Sequence, residues 1–261
     1  MRPHHRQSVE KLKAHFESNP DCLALIIGGS VAHGVEREDS DVDFMLVLTD
    51  EAYAKAHAER RYHHFATEFT DYPGGYSDGK LMDIQFLRDV AERGSDPARF
   101  AFQDAFVAFS RVDGLDELIR SIPVYPEAQH QARIMSFCVQ LQALKWFAGE
   151  AHKRADPYLM AHVATSLSLF ACRLILTHNR MLYPYHKWLL TYVDKAPEKP
   201  EGLCDRVREL VVAPTIEGCH ALADSVLDFR DWGYDPNSWA ATFFEDVEWT
   251  WRYGKPGIED W

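Results

Sequence analysis

The stretch Gly28-Gly29-Ser30-Val31-Ala32-His33-Gly34, followed closely by Ser40-Asp41-Val42-Asp43, joins a turn suited to phosphate with a pair of carboxylates suited to metal. Transfer of a phosphoryl or nucleotidyl group to a hydroxyl needs in-line geometry and neutralisation of the triphosphate's charge. Two divalent cations held by carboxylates supply both. In a strand, residues two apart project to the same side, so Asp41 and Asp43 can share a pair of metals. A third carboxylate from an adjacent strand would complete the site, and the candidate is Asp83. It lies between Met82 and Ile84 in an apolar run, where burying an aspartate is costly without ionic compensation. Gly28 and Gly29 permit a close backbone approach, Ser30 offers a hydroxyl, and the segment from Val31 opens a helix whose free N–H groups face an anion. Triphosphate oxygens fit there.

The elements that must position these groups follow from the flanking pattern. Residues 23–27 and 44–48 are apolar runs that read as buried strands. A helix is expected over residues 7–17, with Val9, Leu12 and Phe16 on one face, and another over residues 51–69. The turn at residues 72–75 leads to a strand expected over residues 81–87, with Asp83 and Gln85 on one face and Met82, Ile84 and Phe86 on the other. A further strand is expected over residues 106–109. From Pro126 onward the pattern is helical, over residues 127–153, 157–178, 184–194, 203–212 and 216–230. Asp156-Pro157 marks a clean helix start. The aromatic tail, residues 239–261, with Trp239, Phe243, Phe244, Trp249, Trp251, Tyr253 and Trp261, reads as a helix packed back onto this bundle. The fold class is therefore α+β: an N-terminal mixed-sheet domain over residues 1–122 and an all-α helical bundle over residues 123–261.

At 261 residues and 46% hydrophobic content the chain can form real cores in both halves. A net charge of −12 argues against a broad basic face for polynucleotide, so a template-independent polymerase acting on RNA is disfavoured. The five cysteines are scattered without a C-x-x-C pair, which speaks for buried thiols in a reducing compartment rather than disulfides or a thiolate zinc site. The first twenty residues carry charge throughout and lack the apolar segment of a signal peptide, so a cytoplasmic location is expected. Residues 158–176 are apolar but interrupted by His162, Thr165, Ser166, Ser168 and Arg173, which fits a bundle helix better than a membrane span.

Gly29-Ser30-x-Ala32-x-Gly34 and Ser40-Asp41-x-Asp43, with a carboxylate on a later strand, resemble the nucleotidyltransferase superfamily of the DNA polymerase β type, in the form of its small bacterial members, the aminoglycoside and minimal nucleotidyltransferases. Residues 21–90 carry the resemblance. It implies that Asp41 and Asp43 are metal ligands, that Gly29 and Ser30 bind the β- and γ-phosphates, and that Asp83 completes the metal site or acts as general base. Gly28 and Ser40 fall within the same nucleotide-binding motif. The helical half resembles that of antibiotic nucleotidyltransferases. The expected activity is transfer of NMP, AMP from ATP foremost, to a hydroxyl of a small molecule, with an antibiotic among the acceptor classes, releasing pyrophosphate. The expected cofactor is Mg²⁺ in a two-ion site, which Mn²⁺ can replace. The partners are the NTP and the acceptor, with no membrane and no nucleic acid.

In the helical half, Lys187 is a candidate contact to the triphosphate, and Tyr183 or Tyr185 to a base or acceptor, while Lys187 reads equally well as a solvent lysine beside Trp188. Glu127 and Glu150 are candidates for a cationic acceptor. Arg173 and His178 have the Arg-x4-His spacing of helical ribonucleases but read as structural. His63 and His64 read as a solvated helix face, and Glu36, Glu38 and Asp39 as an acidic rim. Two other functions share the motif: modification of a protein side chain, as in antitoxin-like members, and a catalytically silent nucleotide sensor.

Overall fold

The computed structural model describes residues 1–235, 237 and 239–254. The chain divides into two compact units, Met1–Val124 and Tyr125–Trp261.

The first unit is built on a five-stranded mixed sheet, β1 (Cys22–Ile27), β2 (Val42–Leu48), β3 (His63–Ala66), β4 (Ser77–Met82) and β5 (Phe106–Ser110), in the order β3-β4-β2-β1-β5. β2 and β4 are parallel, and every other pairing is antiparallel. Strand alternation sends apolar side chains to both faces. On one face Leu25, Ile27, Phe44, Leu46 and Leu81 meet Val9, Leu12 and Phe16 of α1 (Pro3–Glu17) and Ala56 of α3 (Asp50–Ala58). On the other, Ala24, Ile26, Met45, Val47 and Met82 meet Leu87 and Val90 of α4 (Ile84–Arg93) and Leu115 and Ile119 of α6 (Leu115–Ser121). The short helices α2 (Gly29–His33) and α5 (Asp96–Phe100) follow β1 and α4.

Two expected elements of the first unit differ. The helix over residues 51–69 ends at Ala58. Arg60 turns the chain with φ +55°, and residues 63–66 form the edge strand β3, so the two histidines lie on opposite faces of a strand rather than along a helix. The strand over residues 81–87 instead begins at Ser77 and stops at Met82. Asp83 caps α4, its carboxylate accepting from Phe86 N–H at 2.7 Å, because Leu87 and Val90 recur at helical spacing.

The second unit is helical: α7 (His130–Arg154), α8 (Pro157–His178), α9 (Leu189–Asp194), α10 (Leu203–Val212), α11 (Ile216–Leu227), α12 (Trp239–Phe243) and α13 (Thr250–Tyr253). α7 and α8 form its centre, with α11 against both. α8 starts where the sequence indicates: the Asp156 carboxylate accepts from Leu159 N–H, with Pro157 at the first turn. It is long and apolar enough to cross a membrane, yet Val163, Leu167, Ala171, Cys172 and Ile175 are core residues of this unit. All five cysteines are free and buried. The tail is not one helix. α12 packs on α7, a π-helical segment (Phe244–Glu248) follows, and α13 exposes Trp251 and Tyr253; Trp261 lies outside the described residues.

Candidate active site

The first unit brings Gly28, Gly29, Asp41 and Asp43 together at one end of β1 and β2. Gly28 N–H donates to the Asp43 carbonyl at 3.0 Å. Gly29 has φ +61°, and a Cβ there would lie 1.9 Å from Asp43 Oδ2. Glycine is required twice, by the left-handed backbone and by the carboxylate that occupies the space of a side chain. Ser30 is half-buried, its carbonyl accepting from the Gly34 and Val35 N–H groups, and its hydroxyl makes no hydrogen bond among the described residues.

Asp83 is the principal correction. Parallel pairing sets Asp43 beside Asp78 and Val47 beside Met82. Asp83 follows Met82, and five residues along a strand span about 16 Å, so it lies at the opposite end of the sheet from Asp43. The third carboxylate next to the pair is Asp78. It shares a face with Asp43, because Met45 on β2 and Met82 on β4 both enter the same core. Asp78 Oδ1 accepts from His63 Nε2 at 2.7 Å, so His63 is not part of a merely solvated surface. His64 turns the other way, its ring packed against those of Phe16 and Phe44.

Tyr76 lies within electrostatic reach of all three carboxylates. Its phenol is pushed up from 10, first by hydrogen bonding to Asp41 and by that carboxylate's charge, then by burial and by Asp43 and Asp78. Tyr72 is pushed up to about 12 by burial and then by Asp41. Both phenols therefore remain protonated donors at neutral pH, and Tyr72 donates to the Ser40 carbonyl at 2.7 Å.

The same carbonyl accepts from His5 Nε2 at 3.0 Å, which fixes the tautomer and leaves Nδ1 buried with no hydrogen-bond partner among the described residues. Ser40 Oγ accepts from Arg37 N–H at 2.9 Å. Ser40 thus anchors the loop that delivers Asp41, with its hydroxyl engaged inside that loop. Glu36 accepts from Arg2 N–H at 2.7 Å, and Glu38 and Asp39 pair with Arg2 and Arg37, so the acidic rim is tied to α1 and to its own loop. His33 Nδ1 pairs with Asp104 Oδ2 at 2.9 Å.

Among the described residues, no three His, Cys, Asp or Glu side chains form a metal cage. The donor set nevertheless fits Mg²⁺. Carboxylate oxygens are the hard ligands it takes, and Mg²⁺ sites commonly use one or two carboxylates and leave the remaining positions to water and substrate phosphate.

In the second unit Lys187 is exposed in the short 3-10 turn His186–Trp188, its Nζ 5.9 Å from the Trp188 ring centroid. Tyr183 is buried in the core, with the Arg173 guanidinium 4.7 Å from its ring and 4.6 Å from Phe137, so it is not available to stack on a ligand. His178 pairs with Glu198 and lies 3.1 Å from the Arg230 guanidinium, which matches its structural reading. Glu127 binds Arg180 through both carboxylate oxygens, and Glu150 pairs with Lys153 and Arg154, so neither is an unengaged acid.

Sequence reasoning missed Asp78, Tyr76 and His63. The available signal was an aspartate placed just past the turn at residues 72–75, in a segment alternating Ser77, Gly79 and Leu81 on one face with Asp78, Lys80 and Met82 on the other.

Comparison with protein families matches residues 99–189 to a family described only as a domain of unknown function, DUF4037. No curated protein matches the chain. Among solved structures, the chain is similar to a nucleotidyltransferase-like protein from Exiguobacterium sibiricum 255-15, at 12% identity and a TM-score of 0.49, over 97% of this chain and 81% of that one.

Proposed function

We propose that the chain is a Mg²⁺-dependent nucleotidyltransferase that transfers NMP, AMP from ATP foremost, to a hydroxyl of a small molecule. The observation that carries this reading is the Gly28-Gly29 turn closed against Asp43, with Asp78 in register beside Asp43 on the same sheet face and Asp41 engaging Tyr76. Asp41 and Asp43, with Asp78 beside Asp43, would hold the ions. Bound Mg²⁺ supplies charge neutralisation for the triphosphate and for the departing pyrophosphate.

The chain's own residues do the rest. Gly29 and Ser30 orient the triphosphate tail, Gly29 by leaving its backbone open to close approach and Ser30 through its unengaged hydroxyl. Asp78 receives the proton of the acceptor hydroxyl as its oxygen bonds to the α-phosphorus and the bond to the β-phosphate oxygen breaks, releasing pyrophosphate. His63 holds the Asp78 carboxylate in place during this exchange. Catalysis is mainly positional and electrostatic.

The test is label transfer from α-labelled ATP, CTP, GTP and UTP to a panel of hydroxyl-bearing small molecules, aminoglycosides and lincosamides among them, with lysate proteins alongside. Label is expected on a small molecule with the wild type, and at least about 100-fold less with Asp41→Asn, Asp43→Asn or Asp78→Asn. Transfer undiminished by Asp41→Asn and Asp43→Asn refutes the reading. Label on protein alone would make the acceptor a side chain.

A further inference from the structure

The second unit contains a cavity of about 970 Å³ bordered by α7, α8, α9 and α10, with α12 and the π-helical segment contributing Phe243 and Val247. Its volume lies at the upper end of the range of about 300–1,000 Å³ typical of small-molecule sites. Leu144, Val163, Leu189 and Val207 line it and belong to the buried core. Among the described residues no Lys, Arg, Asp or Glu lines it, so an ionised ligand would meet no fixed counter-charge from them.

Its polar lining is Gln140, His162, Thr165, Ser166, Ser168 and His186, and two of these are occupied within α8. Thr165 and Ser168 return their hydroxyls to carbonyls of α8, at 2.9 Å to Ala161 and 2.7 Å to Ala164. His162 and His186 are exposed. Gln140 and Ser166 make no hydrogen bond among the described residues, and Gln140, 8% exposed, is the more buried of the two. With no protein partner the Gln140 amide is left to water at the cavity wall, and a ligand hydroxyl or carbonyl would take that water's place.

We propose that the second unit binds an uncharged, largely apolar small molecule bearing one hydroxyl or carbonyl, seated in this cavity with that group on the Gln140 amide. This site is independent of the nucleotidyl-transfer reading, and its test needs no turnover.

The test uses the full chain and 1,6-diphenylhexatriene, an uncharged hydrocarbon whose fluorescence rises in apolar surroundings. Saturable binding of one probe per chain is expected, displaced by 1-decanol but not by decanoate at pH 8. Ser166→Trp places an indole in the cavity and is expected to weaken probe binding at least tenfold. Val211→Trp, at a position 45% exposed on α10, is a second blocking variant that solvent can accommodate and should act in the same direction. Gln140→Leu keeps the volume and removes the amide. Probe affinity should stay within about twofold, while 1-decanol displaces about fivefold less effectively, the effect of one hydrogen bond. Non-saturating probe fluorescence, or probe binding unchanged in a folded blocking variant, overturns the site. Displacement by decanoate as strong as by 1-decanol overturns the ligand class, and an unchanged 1-decanol response in Gln140→Leu overturns the role of Gln140.

Discussion

Two aspartates near the same strand have opposite duties, and single substitutions separate them. Asp78 lies beside Asp43, whereas Asp83 caps α4 at the other end of the sheet. Asp83→Ala is expected to leave label transfer within about twofold of wild type and to lower stability by about 1 kcal/mol, the usual cost of losing an N-cap, as measured by urea denaturation. A large loss of transfer with unchanged stability would return Asp83 to the site. Two of the histidines whose pKa burial lowers contribute to the acid side of stability. Burial lowers the pKa of His5, and likewise that of His64, from 6.5. The unfolded chain therefore takes up these protons more readily than the folded one. The stability both sites contribute is complete above pH 6.5 and is lost as pH falls below it toward their folded values. The urea midpoint should decline from pH 7 to pH 5.5, and His64→Phe, which keeps a ring against Phe16 and Phe44, should shallow that decline.

At the level of elements, β4 decides the site and was the hardest to read. A Cβ on Gly79 would lie 2.1 Å from the Phe44 ring, so that ring fills the face of β4 where an apolar side chain would otherwise sit. The alternation that betrays a strand is thus supplied by the neighbouring strand, and β4's own sequence shows Ser77, Gly79 and Lys80 where apolar residues were sought. Asp41 and Asp43 were readable because β2 continues as Phe44-Met45-Leu46-Val47-Leu48, and the glycine turn because β1 precedes it as an unbroken apolar run. Asp83 was misplaced because Met82, Ile84 and Phe86 mimic strand spacing where α4 begins. α8 and α10 are readable to the residue, α8 because its Asp156 cap and its periodicity agree and α10 from its periodicity. Gly79→Ala should cost about 1–3 kcal/mol through overpacking against Phe44. It should also depress label transfer, because a shift of β4 moves Asp78; a urea midpoint within error of wild type would contradict this packing.

Across the whole molecule, the thiols are protected in both units. Burial pushes Cys138 and Cys172 up to about 12 and Cys219 up to about 11, and raises Cys22 and Cys204 as well. Scarcity of thiolate and lack of access act together. At pH 8 the native chain should react only slowly with a disulfide reagent such as DTNB, and all five thiols should react at once in denaturant; rapid native reaction of any one would contradict its burial. The parallel pairing of β2 with β4 has a consequence in time. Asp41 and Asp43 can be arranged by the antiparallel pair β1 and β2, but Asp78 arrives only after residues 49–76 have closed a long excursion, and such distant pairings lose loop entropy before contacts repay it. On the proposed reading, a chain in which β4 has yet to pair with β2 would hold two of the carboxylates without the third, and activity would arrive with the completed sheet.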